Sequence, residues 1–463
     1  DGTIHQKAFA GQTFDRTVHK GDLTGIEIIN RLAEQVWARD IERLEEHRAI
    51  ALIKTPNNDA IAGVLHIDMR TGEYAFVQAR AVLLATGGGP TMYKYHTPSG
   101  DKSCDGLAMA LRAGLTLRDM EMVQFHPTGL LAGSDTRMTG TVLEEGLRGA
   151  GAYPLNGARE RFMQQHDARA ERATRDIVSR AIFAEMRAGN TTPNGGVYLT
   201  MNHLGAEHVR AAFKGMVERC ADCGFDLAGG MVEVVPTAHY MMGGVLFNGD
   251  CSTSLPGLFA AGEDTGGVHG ANRLGGNGVA NSTVFGAIAG DAMAAWVRAE
   301  GTSRAPDEDA LQRAVADAEQ PFHHVAGDIE QVREALLDCM WEDVGIVRSE
   351  AGLARAARRL VELDDQLNAT GMASDDRAFN LTWHDWLNLS NLILVSRAIQ
   401  SAATERRESR GAHFREDFPE RGPLEKSSYV TVRLKDGTAD QFELGEQLVK
   451  FSIILPGESL LPR

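Results

Sequence analysis

The sequence predicts an α/β protein with a helical segment towards its C-terminus, and three observations carry that expectation. Strand-like apolar runs near residues 49–87 and 256–263 each end in a glycine cluster. A stretch of small and apolar residues at helical spacing follows the second cluster. Between about residues 305 and 410, apolar residues recur three and four apart among charged ones, as packed amphipathic helices require. With 463 residues, 43% of them hydrophobic, the chain can bury a large core split over more than one domain.

Taken in order, "AIALIK", "IAGVLHIDM" and "YAFVQARAVLLATGG", separated by turn-forming "PNND" and "RTGE", read as three strands in a meander. The third run becomes continuously apolar and ends at Thr86-Gly87-Gly88-Gly89, a buried strand whose loop lets another backbone or a ligand come close. Residues 105–119 and 204–221 read as helices, and "GLRGAGAYPLNGARERF" between them as loop and short strands. "PGLFAAGE" is a second buried strand, leading into "VHGANRLGGNG" and then a tightly packed helix that starts near Gly278. Four charged amphipathic segments form a separate helical domain, and the alternating tail around Asp436-Gly437 reads as a hairpin.

A net charge of −16 disfavours nucleic acid and anionic membrane surfaces, which the protein's own field repels. Five cysteines, Cys104, Cys220, Cys223, Cys251 and Cys339, are too scattered for a disulfide framework or for an iron–sulfur cluster held by this chain alone. A reducing compartment fits. The lone CxxC at Cys220 and Cys223 lacks a second pair for a tetrahedral metal site and reads as two thiols at a helix end. No apolar run reaches bilayer-spanning length, and no signal-peptide pattern is present. The chain opens on Asp1 as if in mid-domain, so a fragment or processed form is expected.

Four segments put titratable groups beside glycines or small residues: "MVQFHPTG" with His126, "LEEGLRGAG" with Glu144, Glu145 and Arg148, "RATRDIVSRA" with Arg175, and "VPTAHYMMGGV" with His239. Singly, each has an ordinary reading as a structural histidine or a surface ion pair. Their order, continued by Ala261-Gly262-Glu263, His269-Gly-Ala-Asn-Arg273-Leu-Gly-Gly-Asn277 and "ESRGAHFREDFPE", resembles the flavoprotein subunits of succinate dehydrogenase and fumarate reductase. L-Aspartate oxidase lies in the same superfamily. The resemblance covers roughly residues 1–420.

That resemblance implies a Rossmann-like, two-dinucleotide-binding FAD domain with an inserted α+β capping domain and a C-terminal helical domain. The expected boundaries are 1–120 and 237–300 for the FAD domain, 121–236 for the cap, 301–420 for the helices and 421–463 for the tail. It implies an FAD-dependent oxidoreductase that desaturates, or reversibly reduces, the carbon–carbon bond next to a carboxylate in a small organic acid. Hydride passes to or from flavin N5, and the protein supplies position and charge. Arg273 would clamp a substrate carboxylate bidentately, with His239 as partner and His126 and Glu144 completing the substrate site. Arg175 would move the proton, relayed by Glu145 and Arg148 beneath a cap whose closure excludes water. Thr86, Gly87, Gly88, Asp105, Glu263, Asn277, Gly278 and Val279 would hold the cofactor, the last three opening a helix whose amides favour negative charge. No metal is expected. An iron–sulfur or other electron-carrier partner subunit is implied, in the cytoplasm and peripheral to a membrane only through that partner. The rival readings are an aspartate-oxidase-like enzyme using oxygen and a non-catalytic scaffold subunit that has lost flavin.

Departures from the family are also legible. The N-terminal strand–GxGxxG–helix unit is absent, so about a hundred or more residues are expected to lie outside this chain. Cys104 stands where the family's Gly-Asp-Gly motif begins. Glu144 replaces a threonine that helps bind a substrate carboxylate, and a bare carboxylate at about 4 Å would repel it by about 4 kcal/mol at an effective dielectric of about 20. This predicts a substrate with one carboxylate and an amine or amide facing Glu144, unless Arg137 neutralises Glu144 or Thr139 or Thr141 supplies the missing hydroxyl.

Overall fold

The meander over 49–87 forms from three antiparallel strands, His47–Lys54, Ile61–Asp68 and Tyr74–Gln78, but the third run does not continue as one strand. After Ala79 the chain leaves the meander, and Val82–Leu84 pairs in parallel with Leu258–Ala260. Periodicity marked both halves as strand and could not name their different partners. This computed structural model describes residues 4–458 except 8, 10, 11, 13, 15, 22, 134, 135, 137, 436, 437, 439 and 440.

The two buried parallel strands end side by side, so the Thr86-Gly-Gly-Gly and Gly262-Glu263 loops emerge at the same edge. The helix expected over 105–119 is shorter. Asp105–Arg112 is helical, the chain turns at Gly114 (φ 86°), and Leu117–Arg118 joins a sheet. That turn is a glycine C-terminal stop. The 204–221 helix is two, Ala206–Ala212 and Lys214–Asp222, broken at Phe213. The "GLRG" stretch, expected as loop, is a single helical turn, Gly146–Gly149, followed by the strand Tyr153–Leu155.

A second sheet runs in the order Val123–Leu130, Met231–Met241, Val197–Thr200, Tyr153–Leu155 and is antiparallel throughout. Its far side packs a core of its own from residues between Leu130 and Val234, including Leu147, Phe162, Val178, Leu199 and Val232. The helix Arg175–Arg187 lies across this sheet and buries Val178, Ala181 and Ile182.

The four amphipathic segments form the helices Glu308–Glu319, Ile329–Asp343, Glu350–Asn368 and Leu381–Glu405. Asp307, Asp328, Ser349 and Asn380 cap their first turns, each accepting from a backbone N–H. Leu336, Leu360, Leu389 and Ile393 share one hydrophobic core with Leu107, Leu111 and Val432. Leu381–Glu405 is sheathed by protein, with Trp383 and Trp386 buried. Among the described residues, no helix is long and apolar enough to cross a membrane.

The tail pairs Ser428–Leu434 with Phe442–Leu448 as the alternation predicts, while Asp436 and Gly437 lie outside the described residues. Cys220 is buried in the last turn of Lys214–Asp222, Cys223 follows it, and both thiols are free.

Candidate active site

Strand alternation puts Gln124 and His126 on one face of Val123–Leu130. Proline has no N–H for the ladder, and the register with Met231–Met241 breaks where Pro127 and Pro236 fall between the pairs Val235↔Gly129 and Thr237↔His126. A second register shift, between Ala238 and Tyr240, falls at His239, whose ring lies 5.4 Å from that of His126, edge to face. His239 Nδ1 is 2.8 Å from Thr97 Oγ1, so its Nε2 is the ring nitrogen left for another partner. Both imidazoles are held well below their usual range, first by burial and then by the charge of Arg175, to which Arg273 adds. They are neutral at physiological pH.

Beside them lies a buried charged cluster. Glu145 Oε2 accepts from Arg175 Nε at 2.6 Å and pairs with Arg175 Nη2, while Glu145 Oε1 is 2.5 Å from Arg148 Nη2. Arg148 Nη1 donates to the Glu171 and Ala173 carbonyls. Burial alone would raise the Glu145 carboxyl, but Arg175 and Arg148 outweigh it and hold it below the usual carboxylate range. Arg175 Nη1 donates to Gln124 Oε1 at 2.9 Å, and Gln124 Nε2 donates to the Arg273 carbonyl at 2.7 Å. A parallel link runs from Asn272 Nδ2 to Asp176 Oδ1 at 2.7 Å. The helix bearing Arg175 is thus tied twice to the loop bearing Arg273.

Arg273 answers for the bareness of its loop. Its guanidinium lies over the Tyr240 ring at 4.4 Å, and a Cβ on Gly278 would approach its Nη1 to 3.3 Å and the ring to 2.9 Å. Only Leu274 O accepts from it, at 3.4 Å, and among the described residues its Nε finds no hydrogen-bond partner. Burial, then Arg175, pushes it down to about 10. Tyr240 is fixed by His269 Nε2 at 3.1 Å and by Asn281 at 3.3 Å.

The glycine loops form an adjoining wall. Thr86 Oγ1 donates to Asp264 Oδ1 at 2.8 Å and Gly87 N to Asp264 Oδ2 at 3.0 Å. A Cβ on Gly88 would sit 2.2 Å from Glu263 Oε1, which accepts from Met241 N at 2.8 Å. Burial pushes the Glu263 carboxyl up to about 7. Gly106 presses on Thr86 and Asp264, bringing the start of Asp105–Arg112 to the wall. Asp105 Oδ1 there accepts from Arg48, Ser103 and Asn391. Cys104 takes the left-handed conformation (φ 54°) that glycine adopts most easily, held by Sγ donating to Gly89 O. The helix Asn277–Glu300 begins as expected, with Asn277 and Val279 exposed and first-turn amides that have no intrahelical acceptor.

Glu144 departs from its expectation. Lys7, 137 positions earlier, donates to its Oε2 at 3.1 Å and Oε1 at 3.4 Å. The repulsion that predicted a monocarboxylate with an amine is therefore cancelled by a lysine. Thr139 is occupied within its own loop, donating to Gly133 O and accepting from Ala132 N, and Arg137 lies outside the described residues.

Sequence reasoning missed Lys7, Thr97, Gln124, Tyr240 and Asn272. Gln124, two residues before His126 on a strand, and Tyr240 and Asn272, next to His239 and Arg273, had local signals, whereas Lys7 and Thr97 had none. A Gln124→Ala variant should lose about ten- to a hundredfold in kcat, as removal of a hydrogen bond to a charged group does, with a smaller change in KM. Steady-state kinetics checks this.

Comparison with known proteins adds the following. The family model described as FAD binding domain matches residues 1–279, and that described as fumarate reductase flavoprotein C-term matches residues 333–459. A CoM/CoB fumarate reductase subunit of Methanothermobacter marburgensis is 39% identical over 93% of this chain and 78% of its own length. The 8-methylmenaquinol:fumarate reductase flavoprotein subunit of Wolinella succinogenes is 32% identical over 96% of this chain and 75% of its own. Among solved structures, a variant of E. coli quinol fumarate reductase superposes with a TM-score of 0.89 at 30% identity, covering 99% of this chain and 80% of that one.

Proposed function

This chain belongs to the succinate dehydrogenase and fumarate reductase flavoprotein family, FAD-dependent oxidoreductases of small dicarboxylic acids, and from that premise we propose how its residues perform the reaction. One observation carries the reading: of three buried guanidiniums, Arg148 and Arg175 pair with the buried carboxylate Glu145, while Arg273 feels Glu263 and Glu145 but pairs with neither among the described residues. Buried charge without a counter-ion is expensive, so such a cluster calls for an anion. A dicarboxylate supplies it.

Arg273 takes one carboxylate of the substrate bidentately, assisted by His239 Nε2 as a neutral donor. His126 and the 143–145 segment border the other end, where Thr128 and Leu143 exchange hydrogen bonds. In the reducing direction Arg175 gives a guanidinium proton to the substrate carbon and recovers one from Arg148 by way of Glu145, the net proton entering from solvent; oxidation runs this path backwards. A carboxylate held ionised between two arginines is suited to accept and return a proton without leaving either charge unpaired.

The wall residues fit FAD. Gly87 leaves open space where a Cβ would meet nothing, and the first-turn amides of Gly278 and Val279 would meet the negative charge that gathers on a flavin's pyrimidine end. Glu263 and Asp105 offer carboxylate oxygens for hydroxyls. When bound, FAD would supply the hydride chemistry at the carbon beside the one protonated, its reduced form as donor and its oxidised form as acceptor.

Electrons pass to a separate electron-carrier subunit, since the five cysteines of this chain lie apart and free and both relatives named above are single subunits of their reductases. The test is turnover of the flavin-loaded protein with reduced dye and fumarate, and with oxidised dye and succinate. Dye-coupled turnover without peroxide is expected. Faster turnover of L-aspartate with stoichiometric peroxide would favour the oxidase instead.

A further inference from the structure

The Lys7–Glu144 pair lies against Gly146, where a Cβ would sit 2.9 Å from Glu144 Oε1 and 3.8 Å from Lys7 Nζ. Leu143 is hydrogen-bonded to Thr128 in both directions at 2.9 Å, so Glu144 follows directly beside the His126 strand and precedes the relay carboxylate Glu145. Lys7 lies over the Phe9 ring at 5.3 Å. Phe9 in turn occupies the space Gly275 leaves: a Cβ there would sit 2.4 Å from the ring and 2.9 Å from Glu145 Oε2. Lys7, Phe9, Glu144, Glu145 and the Arg273 loop therefore border one space. The Lys7 and Glu144 side chains are only 22% and 21% exposed, so this is not a freely solvated surface pair.

An ammonium has three donors, and Glu144 engages two at most through its two oxygens. We propose that Lys7, held in place by Glu144, receives the substrate carboxylate remote from Arg273 and makes the site selective for dicarboxylates. This rests on the reading under Proposed function. Glu144, adverse to an anion on its own, becomes the anchor that fixes a flexible lysine before substrate arrives, so less of its freedom is lost on binding.

The test is equilibrium binding by calorimetry to the oxidised, flavin-loaded protein. The probes are malonate, a dicarboxylate with no carbon–carbon bond to desaturate, and its monomethyl ester. Lys7→Met should weaken malonate by about tenfold or more and the half-ester by less than about twofold. Lys7→Arg should retain the preference. Lys7→Met/Glu144→Thr should recover part of the loss, because the unpaired carboxylate is gone. Lys7→Gln serves if the methionine variant does not fold. Variants that change neither ligand, or both equally, would overturn the inference while leaving the dicarboxylate reading intact. Wild-type protein that does not bind malonate would overturn both.

Discussion

An Arg175→Gln variant is expected to lose about 10²- to 10⁴-fold in turnover with fumarate while still binding flavin and malonate. Glutamine keeps a polar, uncharged side chain there but is shorter, has no guanidinium proton to transfer, and removes one of the two cations paired with Glu145. Glu145 retains Arg148 at 2.5 Å, so the fold should survive with a lower melting temperature. Stopped-flow turnover, calorimetry with malonate and a thermal melt separate the effects. Turnover within about tenfold of the parent would show that another group moves the proton.

Arg273→Met should fail differently. The methionine fills the apolar volume over Tyr240 and relieves a buried cation whose Nε finds no partner among the described residues. The protein should be as stable as the parent or more so, as when a buried charge gives way to an apolar side chain. Dicarboxylate binding should weaken by about 30-fold or more, since a desolvated charge-assisted contact is lost from the complex. The contrast is the content of the prediction: Arg175 governs kcat with malonate affinity preserved, Arg273 governs affinity with stability preserved. Melting curves and calorimetry on both variants check it.

How much of this was legible beforehand depended on the range of the interaction. The glycine clusters told that two strand ends would carry open loops, because glycine's freedom is a property of the residue itself; Gly87 (φ 78°) and Gly262 (φ 75°) use it. The C-terminal helices were legible for the same reason, their apolar spacing and their caps being local. The parallel pairing of Val82–Leu84 with Leu258–Ala260 was not, because a continuous apolar run names no partner. The helix ends at Gly114 and Phe213 were overrun by a favourable composition on either side.

His126, Glu145, Arg148, Arg175, His239 and Arg273 were singled out through the order of their motifs, and the structure places them near one another. Spacing alone could not have done so: Arg175 reaches Glu145 across 30 positions and Gln124 across 51. The error over Glu144 has the same root. Its charge was read against a substrate, whereas among the described residues its paired cation comes from the strand Gln6–Lys7, a two-residue element with no pattern to announce it.

The central claim is that Arg273 and His239 hold a dicarboxylate against bound flavin while Arg175 moves the proton. Anaerobic mixing of the flavin-loaded protein with single substrates, read by flavin absorbance, tests it most directly. Succinate should bleach the oxidised protein, fumarate should restore the colour of the reduced one, malonate should block both, and crotonate, with one carboxylate, should do neither. Colour that fumarate does not restore, or that crotonate restores as fast, would contradict the account.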